Sequence, residues 1–498
     1  MQNLAKRYKL CKMRVMAKSL SEFIANELRY TRCLFFLVFI GCFASIGLSA
    51  TPVTVKLGEG NSGVPIPAEF SGLSFEVERL IPDPNGLHYF RATNEPLVAL
   101  FKTLGVANLR LGGSTADRPV AWKVTHADLD QLFAFAKAAG VKVSFTLRMR
   151  ESNSKDPALL AKYIIDRHSS ALANLGIGNE PDTYTFRYPE LRDLWRSFSK
   201  TIVEYSPTAK FCGPGLTQGK VDWSGQFAAD FKETDRLAEV TVHYYPGGDG
   251  RKVGDLAVSR REILSAEWTA KYERYRDRFL PAVKQQGVPF RIAEMNNFYN
   301  GGAPGVSDSF ASALWALDSL HWWALQGASG INFHTGDTVA TAAGIAPCHY
   351  AAFWSTEKGY IARPLSYGIK AFQLGGRGKT IPVSLTSAGK PPNLTAYAVA
   401  GDDQATYVTL IHKEHGAKTG PATVVIDADA SFKHARAMVL AAKSGNVAAA
   451  DGISVGGSEI RGDGSWEGTW SKLPLPGKGK KFTVTIPPAT AMIIELTK

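Results

Sequence analysis

The sequence predicts an α/β fold: a (β/α)8 TIM barrel over residues 70–378, followed by an all-β sandwich over residues 379–498 that is completed by an N-terminal strand within residues 51–69. Two observations carry this reading. Between Phe70 and Gly378 eight short apolar runs alternate with helical patterns, which is what parallel strands joined by helices require. After Lys379 the pattern switches to short alternating runs separated by Gly, Pro and Asp, as in a sandwich. An open doubly wound sheet is the alternative for the first region, but it does not usually need eight alternating units.

Residues 1–50 read as a signal peptide. Lys6, Arg7, Lys9, Lys12, Arg14, Lys18, Arg29 and Arg32 precede the apolar run Cys33–Leu48, which is short for a membrane span and ends in Ser49-Ala50. The mature chain is therefore expected to be secreted or periplasmic, without stable membrane insertion, and monomeric. The leader carries eight basic and two acidic residues, half of the formal net charge of +12. The remaining positive charge suits an acidic ligand. No cluster of Lys and Arg with interleaved aromatics supports nucleic-acid binding.

The first mature strand is PVTVKL, from Pro52. The barrel strands follow as SGLSFEV, VANLRLGG, VKVSFTLRM, LANLGIGNEP, KFCGPGL, EVTVHYY, PFRIAEMNNF and GINFHT. Amphipathic stretches separate them, among them Asp128–Ala139, Ala158–Asp166, a helix from Leu191 through Val203, Ile263–Lys284 and Phe310–Leu325. Trp315, Trp322 and Trp323 on the last of these are expected in the core. The sandwich strands are LTAYAVA, ATYVTLIH, ATVVIDA, ARAMVLAA, KFTVTIPP and AMIIEL. Past the leader only Cys212 and Cys348 remain; their spacing excludes a CxxC site, and two buried free thiols are expected, with a single disulfide as the alternative.

In such a barrel the chemistry sits at the carboxyl ends of the strands. Those ends carry Glu76, Ser114 and Asp117, Arg148, Asn179-Glu180, His243-Tyr244-Tyr245, Glu294 and His334. Sealing so many polar groups in a core would be costly, so a solvent-filled cleft is expected. Glu180 closes strand four in LGIGNEPD and Glu294 closes strand seven in RIAEMNN, across the barrel mouth from each other. Glycoside cleavage needs such a pair, one carboxyl protonating the leaving oxygen and the other attacking the anomeric carbon.

The motifs LGIGNEPD and AEMNNFYNGG resemble the clan of retaining (β/α)8 glycosidases and, within it, glycoside hydrolase family 79, the β-glucuronidases and heparanases. The resemblance covers most of the mature chain. It implies Glu180 as acid/base, Glu294 as nucleophile and Asn179 as a contact to the sugar 2-hydroxyl. It also implies a strand-six tyrosine supporting the nucleophile: Tyr244, or Tyr245 if the register is shifted by one. Tyr299 and Gly301 match a turn that holds the glucuronate carboxylate through a hydroxyl and a backbone N–H, and Tyr350 matches a further contact to it. Glu76 and Asp117 are candidates for contacts to the outer hydroxyls of the terminal sugar, or for salt bridges that hold strand-end loops.

The expected partners are saccharides or glycosaminoglycans containing uronic acid. No metal set of HExxH type occurs, and hydrolysis of this kind needs no cofactor. The rival readings are a clan relative acting on neutral sugars, such as an arabinofuranosidase or xylosidase, and a silent carbohydrate-binding protein. Whether action is exo or endo depends on the loops at His88–Asn94 and Gly247–Asp255.

Overall fold

The computed structural model describes residues 52–58, 63–233, 236–341, 344–428, 432–475 and 480–498. The signal peptide expected over residues 1–50 lies outside the described residues. Eight parallel strands close into a barrel: Ser71–Glu76, Asn108–Gly112, Lys142–Leu147, Leu172–Ile177, Phe211–Leu216, Leu237–Tyr244, Phe290–Met295 and Gly330–His334. All eight predicted strands are present. The last pairs with the first in the register Ile331↔Ser71 through His334↔Ser74.

Period-two alternation sends Leu73, Leu109, Leu111, Val143 and Phe145 into the apolar core between strands and helices. The other face turns a polar set inward. Parallel pairing places Ser74 beside both Arg110 and His334, and Arg110 beside Ser144. Two residues lower on the same face, Gly72 lies between Asn108 and Asn332. This interior is filled by hydrogen-bonding side chains rather than the branched aliphatics usual in such barrels.

The helices include His126–Ala139, Lys155–His168, Tyr188–Tyr205 and Phe310–Leu325. Thr125 and Asp128 form a reciprocal capping box at the first of these. The expected helix Ile263–Lys284 is instead two, Leu256–Ile263 and Ala266–Gln285. They break at Ser265, whose hydroxyl caps the second helix at the Trp268 N–H. Trp315 and Trp323 are sealed in the core and Trp322 nearly so; Cys212 and Cys348 are free and buried.

Two hairpins that the sequence reading did not identify follow strand eight, Thr338–Thr341 with Gly344–Pro347 and Phe353–Thr356 with Gly359–Ala362. A helix, Pro364–Gly375, then leads to two mainly antiparallel sheets. In the smaller, Val53–Leu57 lies between Val383–Ser387 and Ala422–Asp427, antiparallel to the former and parallel to the latter. The larger sheet is built on Leu394–Ala400, Thr406–His412, Thr490–Thr497 and His434–Ala442. Val55, Val408, Val424 and Ile494 belong to the apolar core associated with these sheets.

Candidate active site

At the end of strand four the chain must turn sharply inside a crowded barrel mouth. Gly178 has φ +78°, and a Cβ there would sit 2.7 Å from the Tyr184 hydroxyl and 2.9 Å from Met149 Cε. Two residues on, Glu180 holds φ 49°, ψ 53°, a left-handed conformation that costs a non-glycine residue about 1–3 kcal/mol. Tertiary hydrogen bonds hold it there. The Glu180 N–H donates to the Gly215 carbonyl (3.1 Å), and the Asn179 N–H donates to Asp117 Oδ2 (2.7 Å). The result aims the Glu180 carboxyl across the mouth.

Glu294 ends strand seven directly beside His243, its partner in the strand register. One oxygen each from Glu180 and Glu294 and one ring nitrogen of His243 lie within 4.8 Å of one another. His243 Nδ1 is 3.0 Å from Glu180 Oε1 and 3.9 Å from Glu294 Oε2. These two carboxylates and an imidazole also have the donor types of a three-ligand cation site.

Burial by itself would raise the Glu294 pKa, but His334, His243 and Arg110 outweigh it and hold the carboxyl well below the usual carboxylate range. Arg110 Nη1 donates to Glu294 Oε2 (2.7 Å) and to Ser74 Oγ (2.9 Å), while Nη2 donates to Asn179 Oδ1 (2.7 Å). His334 stands 3.9 Å from Glu294 Oε2 and 3.6 Å from Glu76 Oε1. Burial lowers the His334 pKa, yet these two carboxylates leave it raised on balance. Tyr245 donates its hydroxyl to Glu294 Oε1 (2.8 Å); burial and the neighbouring carboxylate keep that phenol protonated.

The carboxylates open onto a cavity of about 340 Å3, whose wall includes Glu76, Glu180, Glu294, Tyr245, Tyr299 and Tyr350. Tyr299 is 38% exposed. Its backbone is braced by the loop after strand six: the Tyr299 N–H donates to the Gly248 carbonyl (2.8 Å), and the Gly250 N–H donates to the Tyr299 carbonyl (3.1 Å). Tyr350 is buried, which pushes its phenol pKa well up. Glu76 Oε2 accepts from the Thr115 N–H (2.8 Å) and hydroxyl (2.6 Å).

Four expected site residues are placed otherwise. Tyr244 faces out of the barrel and stacks on Tyr275 (ring centroids 3.9 Å apart), so the tyrosine at Glu294 is Tyr245. Asp117 binds protein on both oxygens. Its Oδ1 takes the Met149 and Arg150 N–H groups and its Oδ2 the Asn179 N–H and the Tyr184 hydroxyl, so it ties strand ends together rather than reaching sugar hydroxyls. Gly301 is buried behind the wall at φ +86°, where a Cβ would lie 2.5 Å from the Pro347 carbonyl oxygen. Close packing of the turn therefore accounts for a glycine there. Asn179 is also off the wall, buried with its amide oxygen bonded to Arg110.

Sequence reasoning missed Arg110. A charged residue between two inward-facing small or polar positions of an otherwise apolar strand was the available signal. His243 carried the register of strand six: if it faces inward, period two sends Tyr245 inward and Tyr244 out.

No family model matches the chain. In sequence it is similar to a β-glucuronidase of Aspergillus niger, 42% identical over an aligned length of 195, which covers 33% of this chain and 34% of the relative. It is also similar to the heparanase of Mus musculus, 24% identical over an aligned length of 211, which covers 39% of this chain and 38% of the relative. The matches thus span little more than a third of either relative. In fold it resembles a 4-O-α-L-rhamnosyl-β-D-glucuronidase from Fusarium oxysporum 12S (TM-score 0.69, 17% identity, 89% of this chain and 99% of that one). A family 51 arabinofuranosidase from Xanthomonas axonopodis pv. citri is also similar (TM-score 0.66, 16% identity, 90% and 100%). Its sequence relatives are a β-glucuronidase and a heparanase and its fold neighbours are glycosidases of several kinds, which together support a family 79-like glycoside hydrolase.

Proposed function

We propose that the chain is a retaining β-glycosidase that hydrolyses β-glucuronides, removing terminal glucuronic acid or cutting heparan-type chains. The observation that carries this reading is the approach of the Glu180 and Glu294 carboxylates to within 4.8 Å at one cavity, with Glu294 held ionised. Retaining enzymes place their two carboxyl groups about 5–5.5 Å apart, whereas inverting ones leave about 6.5–9.5 Å for a water.

In the first step Glu180 gives its proton to the glycosidic oxygen as the C–O bond breaks, and Glu294 forms a bond to the anomeric carbon. In the second, Glu180 takes a proton from water, whose oxygen displaces Glu294 and regenerates both groups. Arg110 and Tyr245 each hold one oxygen of Glu294, which fixes its orientation. The preference for a uronate rests on Tyr299 and Tyr350, two phenols on the cavity wall able to donate to the sugar carboxylate. The similarity to a β-glucuronidase supports this choice over neutral sugars.

Proton NMR of an aryl β-glucuronide during hydrolysis tests the mechanism. The β-anomer of glucuronic acid is expected first, and first appearance of the α-anomer overturns retention. Faster turnover of aryl arabinofuranosides or glucosides would overturn the substrate while leaving the two carboxylates in their roles. Chain-length analysis of treated heparan sulfate separates terminal trimming from internal cuts.

A further inference from the structure

A second cavity, of about 470 Å3, opens beside the ends of strands one and three and shares no wall residue with the cavity over Glu294. Its wall is largely apolar, including Val77, Phe145, Pro157 and Leu160, with Trp122 and Arg148 as its distinctive members. Trp122 is 58% exposed, unusual for so large an apolar ring, and the Arg148 guanidinium carbon lies 3.8 Å from its ring centroid.

Arg148 is only 5% exposed, and among the described residues no carboxylate pairs with it. Nε donates to the Arg150 carbonyl (2.9 Å), while the buried Nη1 has no acceptor among the described residues. The other two arginines deep in the barrel interior each hold a carboxylate: Arg110 that of Glu294 and Arg291 that of Glu239. A buried cation without an anionic partner is costly, and an anion entering the cavity would relieve that cost. The remaining polar wall residues are Thr146, Asn153 and Asp156, and the last two are bonded to each other. Asn153 Oδ1 accepts the Lys155 and Asp156 N–H groups (both 3.0 Å), and its amide donates to Asp156 Oδ2 (2.7 Å).

We propose that this cavity binds a small carboxylate with a flat apolar body, an aromatic carboxylic acid, with its carboxylate on Arg148 and its ring against Trp122. A sugar is the poorer occupant, because most of the wall is apolar and would leave several of its hydroxyls unpaired. The site is separate from the hydrolytic centre and does not depend on the reaction proposed there.

Isothermal titration calorimetry with trans-cinnamate tests this, using the whole mature chain with its catalytic cavity saturated by glucuronate. One equivalent of cinnamate is expected to bind, with neutral cinnamamide weaker by about tenfold or more. Arg148→Met and Trp122→Ala should each weaken cinnamate by about tenfold or more and leave aryl glucuronide hydrolysis within about twofold of the wild type. Trp122→Ala alters an exposed side chain, so it reads the site even if Arg148→Met does not fold. The proposal is overturned by unsaturable binding up to about 10 mM, by competition between cinnamate and glucuronide, or by affinity unchanged in Trp122→Ala. Glucuronate filling the second cavity in an Arg148-dependent way would overturn the apolar occupant.

Discussion

Two buried glutamates occupy the interior of the same barrel and are built for opposite ends. Glu239, near the amino-terminal end of strand six, accepts from Asn174 (2.9 Å), from Ser329 and from Arg291 Nε (3.1 and 3.2 Å to its two oxygens). Arg291 in turn bonds the Glu69 and Ser329 carbonyls and Asn332 Oδ1, so one permanent cation answers one carboxylate and both are enclosed by donors and acceptors. Glu294 has one permanent cation, two histidines and an open cavity. The first arrangement neutralises a charge; the second keeps a charge ionised and within reach of a reactant. Burial of a carboxylate alone does not mark a reactive group, whereas excess positive surroundings beside a cavity do.

Substitutions at these two positions sharpen the contrast. Glu294→Gln should lower turnover by about 10^4-fold or more, because no glycosyl–enzyme bond can form. Near-normal rates would remove Glu294 from the nucleophile's role. Glu180→Gln should slow glycosides with poor leaving groups by about 10^2–10^4-fold and spare activated aryl ones, which depart without protonation. Equal losses on both substrate types would undo the assignment of acid and nucleophile.

Glu239→Gln should cost about 3–5 kcal/mol of stability, measured by urea denaturation, because Arg291 cannot shed its charge. Its folded fraction should keep normal turnover. Glu294→Gln should cost less, since Glu294 faces an open cavity that admits water and counter-ions, whereas Glu239 and Arg291 are enclosed. An equal cost at both sites would collapse the distinction drawn between them.

Tyr299→Phe should lower kcat/KM for glucuronides by about ten- to hundredfold, the loss of one hydrogen bond to an anion, and leave glucosides nearly untouched. The smallest effect is a shift in pH. The Glu294 pKa is depressed in the fold, so its contribution is present above the ordinary carboxylate range and is lost only as pH falls through the lowered value. His334→Gln removes one cation and should move that acid limb upward, in both the rate profile and the acid denaturation curve. For His334 itself the folded pKa is raised, so its support is full in acid and fades as pH rises through the raised value.

Much of this molecule was readable from residue patterns, because period and strand-end chemistry are local properties. LGIGNEPD and RIAEMNN announced two carboxylates at barrel strand ends, and the alternation in LTAYAVA announced a sandwich strand. What escaped depended on contacts between distant segments. Arg110 reads as an isolated charge until closure of the barrel brings Glu294, 184 residues away, to its guanidinium. Asp117 reads as a free strand-end acid until the ends of strands three and four deliver four donors to it. The two hairpins after strand eight were missed because each run is only four residues long, too short for periodicity to register.

The strand Val53–Leu57 has a consequence for the order in which the chain assembles. It lies between segments more than 300 residues downstream, Val383–Ser387 and Ala422–Asp427. During synthesis the barrel can begin to form once its eighth strand has emerged, but this first strand must wait for almost the whole chain. Its edges stay unsatisfied throughout that interval, a ready template for mispairing with another copy. Deleting residues 52–58 should therefore injure the carboxyl-terminal sheets, the part of the molecule farthest from the cut in sequence.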